Sequence, residues 1–103
     1  MPRVYIAGKV TGEPPKECRE KFIKAEFLLK KRGFSVVNPT RLVSPTSDWQ
    51  NAMRICIKNL AECDAIYMLP DWKQSKGAKL EHAIAKATGL KVIYNYVEQG
   101  DVA

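Results

Sequence analysis

Four short runs of β-branched and aromatic residues alternate with three helical patterns, and this alternation limits the possible fold more than any other feature. The runs are nearly continuous rather than interrupted by polar residues, as in strands that are buried on both faces. They cover residues 4–7, 34–37, 65–69 and 91–96. The resulting order β-α-β-α-β-α-β predicts right-handed crossovers and a parallel sheet with helices on both sides.

Residue spacing and capping residues predict where the helices lie. The first helix should begin near the proline pair at 14–15 and stop before Gly33. Its apolar stripe consists of Cys18, Phe22, Ala25 and Leu29. The second should follow Ser47 or Asp48, either of which is a good N-cap. Its inward face consists of Trp49, Met53, Cys56, Ile57 and Leu60. The third should run over about 77–88.

The predicted fold class is α/β, a Rossmann-like or flavodoxin-like three-layer sandwich. Its parallel sheet should have four strands, or five, in the order 2-1-3-4. Ligands of such sheets bind outside the carboxyl ends of the strands, where the strand order reverses. That point lies between strands one and three here. The segments that reach this edge are 8–12, 38–47 and 70–74.

Length and composition predict one ordinary globular domain over residues 1–103. The chain is 46% hydrophobic and 27% charged, and no apolar run approaches the roughly 20 residues of a membrane span. We therefore expect no membrane association, and a cytoplasmic location. Three cysteines without a Cys-x-x-Cys pair argue against a disulfide framework, and a single histidine argues against a metal site. We predict neither a metal nor a cofactor.

The formal net charge is +6, and much of the excess falls on residues 16–32. Acidic and basic residues in this segment pair at helical i,i+4 spacing, Glu17 with Lys21 and Glu20 with Lys24. No aromatic residues interleave the lysines, as a nucleic-acid platform would require. A solvated helix face is therefore favoured over a binding patch, and nucleic acid is not the expected partner.

The segment from Asp71 to Glu81 leads from the third strand into the third helix. Ser75 and the free amides of the first turn form a candidate anion site, which Gly77 keeps open. Taken alone, the pattern slightly favours a simple N-cap at Ser75 and a surface carboxylate at Glu81. The loop at 8–12 matches neither a Walker A motif nor a GxGxxG fingerprint, so it could serve only to turn the chain.

Several segments carry a further signal that spans most of the chain. They are Tyr5-Ile6-Ala7-Gly8, Asn38-Pro39, Trp49 with Met53, Cys63-Asp64-Ala65-Ile66-Tyr67-Met68-Leu69-Pro70, Trp72, and Ser75-x-Gly77-Ala78-x-x-Glu81. Together they resemble the small bacterial and phage branch of the nucleoside 2-deoxyribosyltransferase-like superfamily. The last segment is the most specific of them, and the similarity extends from Val4 to about Val97.

This resemblance implies a catalytic role for three residues. Glu81 matches the nucleophile of deoxyribosyltransferases and deoxynucleoside monophosphate N-glycosidases, and Tyr5 matches an active-site tyrosine. Relatives carry an aspartate eight residues before the aspartate that opens the third strand, and Cys56 stands there instead. A thiol is a much weaker acid than a carboxyl group, so the proton donor for the departing base is missing.

The resemblance also implies the ligand, a nucleoside or its 5′-monophosphate, and a homo-oligomer. Ser75 matches a serine that holds the 5′-phosphate. The predicted substrate-binding residues are Gly8, Lys9, Asn38, Trp72, Ser75 and Gly77. Trp49 is more readily explained by core packing, and Trp72 equally by packing or by base stacking. Alternatives to a glycosidase or transferase are a nucleotide-binding module without turnover and a basic nucleic-acid-binding protein.

Overall fold

Four parallel strands form the centre of the fold, in a computed structural model that describes residues 2–94. The strands are β1 (Arg3–Ala7), β2 (Ser35–Val37), β3 (Ala65–Met68) and β4 (Lys91–Tyr94). Their order is β2-β1-β3-β4 and every pairing is parallel, which confirms the predicted fold class and strand order. Residues 95 and 96, predicted to end the last strand, lie outside the described residues, as would any fifth strand.

Three helices connect the strands: α1 (Pro15–Lys31), α2 (Trp49–Ala61) and α3 (Lys76–Ala87). Proline occupies the first turn of α1, and Gly33 follows the helix with a φ of 93°, a left-handed conformation that favours glycine. The Asp48 side chain caps α2 by accepting from the amide of Asn51. None of these helices, within residues 2–94, has the length and apolar character to cross a membrane.

The core has two halves, one on each side of the sheet. Successive residues of a strand point to opposite faces, so Val4 and Ile6 pack with α1, on the side of Phe22. Tyr5 and Ala7 point to the other face, where α2 and α3 pack. The alternation in β1 therefore places the Tyr5 side chain on the same side of the sheet as Cys56 and Glu81.

Gly8, which follows β1, lies close against Leu69, which follows the neighbouring strand β3. A Cβ atom on Gly8 would lie 2.5 Å from Cδ1 and 2.9 Å from Cβ of Leu69. Only glycine fits this approach without a shift of the strand ends. The Lys21 ammonium then fastens the loop, since it donates to the Lys9 carbonyl at 2.8 Å and to Asp71 Oδ2 at 2.6 Å.

A buried carboxylate on α1 holds the segment that follows β2. Glu26 accepts from the Asn38 amide group and from Arg41 Nε, both at 2.9 Å, and pairs with Lys30 at 2.8 Å. Burial raises the pKa of Glu26, but the hydrogen bonds from Lys30, Asn38 and Arg41 outweigh it and lower the pKa to about 2. The network fixes the start of the loop at 38–48.

Glu26→Gln is expected to destabilise the fold by about 2 kcal/mol at pH 7. The full pKa shift implies more, but Lys30 and Arg41 are more than half exposed and solvent screens them. The stabilisation is present above a pH of about 4.5, the pKa of an ordinary glutamate, and is lost as the pH falls towards 2. Urea unfolding at pH 7 and pH 3 measures it. Glu20→Gln on the exposed side of α1 is the control, and equal effects of the two changes would contradict the assignment.

Candidate active site

A cavity of about 410 Å³ opens at the carboxyl edge of the sheet. Six segments line it: the end of β1, the loop after β1, the start of α1, the loop after β2, the inward face of α2 and the first turns of α3. Its volume is that of a typical small-molecule site. It lies beside β1, one of the two strands between which the strand order reverses, and parallel sheets of this kind bind ligands near that point.

A tyrosine and a glutamate meet on the cavity wall although 76 residues separate them. The Tyr5 hydroxyl donates to Glu81 Oε2 at 2.6 Å, and the two residues are 0% and 5% exposed. Burial raises the pKa of Glu81 to about 7, although the hydrogen bond from Tyr5 acts to lower it. Burial, and then the nearby Glu81 charge, hold the pKa of Tyr5 well above its usual value. Glu81 therefore ionises near neutral pH, while Tyr5 keeps its proton.

Cys56 reaches the same place from α2. Its side chain lines the cavity and is buried, and it lies close enough to Tyr5 and Glu81 for both to shift the pKa of its thiol. Burial raises the pKa of the Cys56 thiol to about 11, although the Tyr5 hydroxyl acts in the opposite direction. The thiol is therefore neutral at physiological pH and a weak proton donor.

The start of α3 forms another part of the wall. Ser75 is the N-cap, and its hydroxyl oxygen accepts from the amide of Ala78 at 3.0 Å. The hydroxyl hydrogen remains available for a ligand, because the oxygen acts only as an acceptor in the cap. A Cβ atom on Gly77 would lie 3.0 Å from the Met53 sulfur, so glycine here lets α3 pack closely on α2.

Six of the nine predicted site residues line this one cavity, and three do not. The six are Tyr5, Gly8, Cys56, Ser75, Gly77 and Glu81. The Lys9 side chain pairs with a residue of its own loop, and its ammonium lies 3.7 Å from the Glu13 carboxylate. The Asn38 side chain has a structural role, since it donates to Glu26 and accepts from the amide and hydroxyl of Thr40.

Trp72 lies apart from the cavity, against the far side of α3. Its ring centre is 4.2 Å from that of His82 and 6.3 Å from that of Tyr94. His82, to which the sequence assigns no role, shares a 2.7 Å hydrogen bond with the Tyr94 hydroxyl. In this arrangement Trp72 packs against protein rings rather than facing the cavity.

Arg19 and Trp49 are among the cavity residues that were not predicted as site residues, and both have side chains suited to ligand binding. Arg19 is exposed on α1 and lines the cavity. The sequence did not single it out, because it belongs to a basic segment that was interpreted as a solvated helix face. Trp49 is half-buried at the start of α2 and lines the cavity, with the Lys76 ammonium 4.4 Å from its ring centre. The signal for Arg19 was its place in the first turns of α1, next to the apolar stripe residue Cys18.

Within residues 2–94, no three side chains of histidine, cysteine, aspartate or glutamate come together as metal ligands would. All three cysteines are free and buried.

The fold is similar to that of a solved structure, the CMP N-glycosidase BcmB of Clostridium botulinum, with a TM-score of 0.61. The two sequences are 22% identical, and the similarity covers 89% of this chain and 66% of the other. The chain thus spans slightly less than two thirds of that protein, and at this identity the likeness concerns the fold alone. No curated protein matches the chain. A family model described as a domain of unknown function, DUF4406, matches residues 2–94, and the chain therefore belongs to the DUF4406 family.

Proposed function

We propose that the protein cleaves or transfers the N-glycosidic bond of a nucleoside or its 5′-monophosphate, with Glu81 as the nucleophile. The observation that carries this proposal is the buried Tyr5–Glu81 pair on the wall of a nucleoside-sized cavity. Two further lines support it. The sequence resembles the nucleoside 2-deoxyribosyltransferase-like superfamily, and the fold is similar to that of a CMP N-glycosidase.

The proposed chemistry follows the double displacement of retaining glycosidases. The Glu81 carboxylate attacks the anomeric carbon, C1′, and the base departs. Water or a second base then attacks C1′ and releases the carboxylate, which gives hydrolysis or transfer respectively. Tyr5 donates to Oε2, so it orients the carboxylate, and Oε1 has no hydrogen-bond partner within residues 2–94.

The other end of the cavity suits a 5′-phosphate. Ser75 offers a hydroxyl hydrogen beside the positive end of the α3 dipole. Arg19 lines the cavity and makes no ion pair or hydrogen bond within the described residues, so its guanidinium is available for an anion. A monophosphate is therefore the proposed form of the ligand.

Ser75→Ala is expected to weaken the binding of a nucleoside monophosphate by about 1–2 kcal/mol, the usual contribution of a hydrogen bond to a charged group. It should also lower the melting temperature, since loss of an N-cap costs about 1 kcal/mol. Calorimetry with a monophosphate and its unphosphorylated nucleoside separates the two effects. Equal weakening of both ligands would show that Ser75 only caps α3.

The test of the proposed function is incubation with a panel of nucleosides and monophosphates, in ribose and deoxyribose forms, with free base measured by chromatography. Base release that depends on Glu81 supports the proposal. A thermal shift without base release would instead support a nucleotide-binding module, the alternative that Cys56 favours. Neither effect, together with salt-dependent retention of DNA, would point to a nucleic-acid-binding protein.

A homo-oligomer is part of the same proposal, because the resembling proteins complete their sites across subunit contacts. Light scattering of the purified protein tests it. A monomer at the concentration used for the activity panel would contradict the proposed homo-oligomer.

A further inference from the structure

The part of the chain that the structure describes places no carboxylic acid in the cavity that is free to protonate a departing base. Within residues 2–94, the two carboxylates that line it are Glu81 and Glu13. Glu81 is the proposed nucleophile, and Glu13 is paired with Lys21 at 3.2 Å and with Lys9 at 3.7 Å. The one histidine of the chain lies outside the cavity, against Trp72.

The remaining hydrogens in the cavity belong to much weaker acids. Tyr5 already gives its hydrogen to Glu81, and Cys56 is a buried neutral thiol. Burial also raises the pKa of Cys18, the second thiol on the wall. A neutral base that leaves without a proton departs as an anion, which is a poor leaving group, and general acid catalysis normally contributes about 10²–10⁴-fold to such a step.

We infer, on the basis of the proposed function, that the substrate is a nucleotide whose base carries a fixed positive charge. N-glycosyl pyridinium nucleotides and N7-alkylated purine nucleotides belong to this class. Their glycosidic nitrogen belongs to a cationic ring, so the ring leaves as a neutral molecule and needs no proton.

The step balances without an acid. A Glu81 oxygen bonds to C1′ while the C1′–N bond breaks, and its electron pair passes to the ring and cancels the positive charge. Water then attacks C1′, the carboxylate leaves as ionised Glu81, and the excess proton of the water goes to solvent. The products are a neutral base, the free sugar phosphate and a proton.

The cavity wall is suited to such a ring. The inward face of α2 presents Trp49, Ala52, Met53 and Cys56, which offer apolar surface rather than a pattern of donors and acceptors for a base edge. Ionised Glu81 is 5% exposed, so its attraction for a nearby cation is screened less than it would be in water. On the α2 side of the cavity, contact area and charge would therefore hold the ring.

The test compares 7-methylguanosine monophosphate with guanosine monophosphate, which differ by one methyl group and one positive charge. Nicotinamide mononucleotide is the pyridinium probe, and the purine pair is used in ribose and deoxyribose forms. Initial rates are measured for the wild-type chain, with Glu81→Gln as the background. The ratio of cationic to neutral turnover is then divided by the same ratio for spontaneous hydrolysis in the same buffer.

We expect the cationic member to be cleaved at least 100-fold faster, and the enzymatic ratio to agree with the spontaneous ratio within about tenfold. Undetectable turnover of guanosine monophosphate beside measurable turnover of a cationic probe also supports the inference. An enzymatic ratio 100-fold below the spontaneous one would overturn it, because an acid would then be assisting the neutral base. Release of base from neither class overturns the proposed function itself, which distinguishes the two failures.

Discussion

Glu81→Gln is expected to abolish base release while the fold and nucleotide binding persist. The amide keeps the size of the side chain and can still accept from the Tyr5 hydroxyl, but it cannot form the bond to C1′. Turnover should fall to the background rate, and calorimetric affinity for a monophosphate with a neutral base should change little. Glu62→Gln, at the exposed end of α2, is the matched control. If Glu81→Gln turned over at the wild-type rate, Glu81 would not be the nucleophile.

The same variant should change how stability depends on pH. Burial raises the pKa of Glu81 from its reference value of 4.5 to about 7, so the folded state holds the proton over that interval more firmly than the unfolded chain. The wild-type protein should therefore lose stability as the pH rises from about 4.5 to 7, by an amount on the order of 3 kcal/mol. Glu81→Gln should not show this loss.

Subtracting the two unfolding curves isolates this contribution from those of other carboxylates. Glu26 has the opposite sign, since its stabilisation is lost as the pH falls below 4.5. Activity should follow the ionised fraction of Glu81, with a rising limb near pH 7 in kcat/KM. A pH-independent difference between the wild type and Glu81→Gln would show that the carboxyl group is not buried in the folded protein as described.

Local patterns in the sequence predict the fold well because each acts over a few residues. The stripe of Cys18, Phe22, Ala25 and Leu29 is the buried face of α1, and Gly33 lies just beyond its end. Asp48 and Ser75 cap the helices that follow them. The strand order follows from the alternation and the topological rules of parallel sheets.

Side-chain directions at the site edge depend on the particular partner that each side chain meets in the folded protein and could not be predicted in this way. The segments that hold Lys9, Asn38 and Trp72 do reach the expected edge of the sheet. Their side chains lie against Glu13, Glu26 and His82 respectively, and the last two of these partners belong to helices α1 and α3. Segment position can thus be read from the sequence, whereas hydrogen-bond partners 12 residues away or more cannot.

The contact between Tyr5 and Glu81 illustrates the same limit. Alternation in β1 gives the face of the sheet on which Tyr5 lies, whereas the local pattern of α3 slightly favours a surface position for Glu81, which is in fact buried. Neither pattern specifies that the two side chains meet at 2.6 Å. Resemblance to a known family places both residues in one site, and the packing of α3 on the sheet determines their distance.

Cys56→Asp is expected to raise base release from neutral nucleotides by up to about 10²–10⁴-fold at mildly acidic pH. An aspartate at this position would lie near Tyr5 and Glu81, because Cys56 lines the same cavity as these two residues. Two carboxyl groups in one buried site cannot both ionise easily, so one keeps its proton and can serve as the acid. Turnover of cationic nucleotides, which need no acid, should not rise.

Ile55→Asp is the control for this substitution, since it adds a carboxylate to the neighbouring, exposed position of α2. Initial rates and melting temperatures are compared for the wild type and both variants at pH 6 and pH 8. If the site does not open to solvent, the new aspartate is buried unpaired and should cost a few kcal/mol of stability. That cost would be largest at pH 8, where the aspartate is driven to ionise. Fast wild-type turnover of neutral nucleotides, unchanged by Cys56→Asp in a folded protein, would mean that another group supplies the proton.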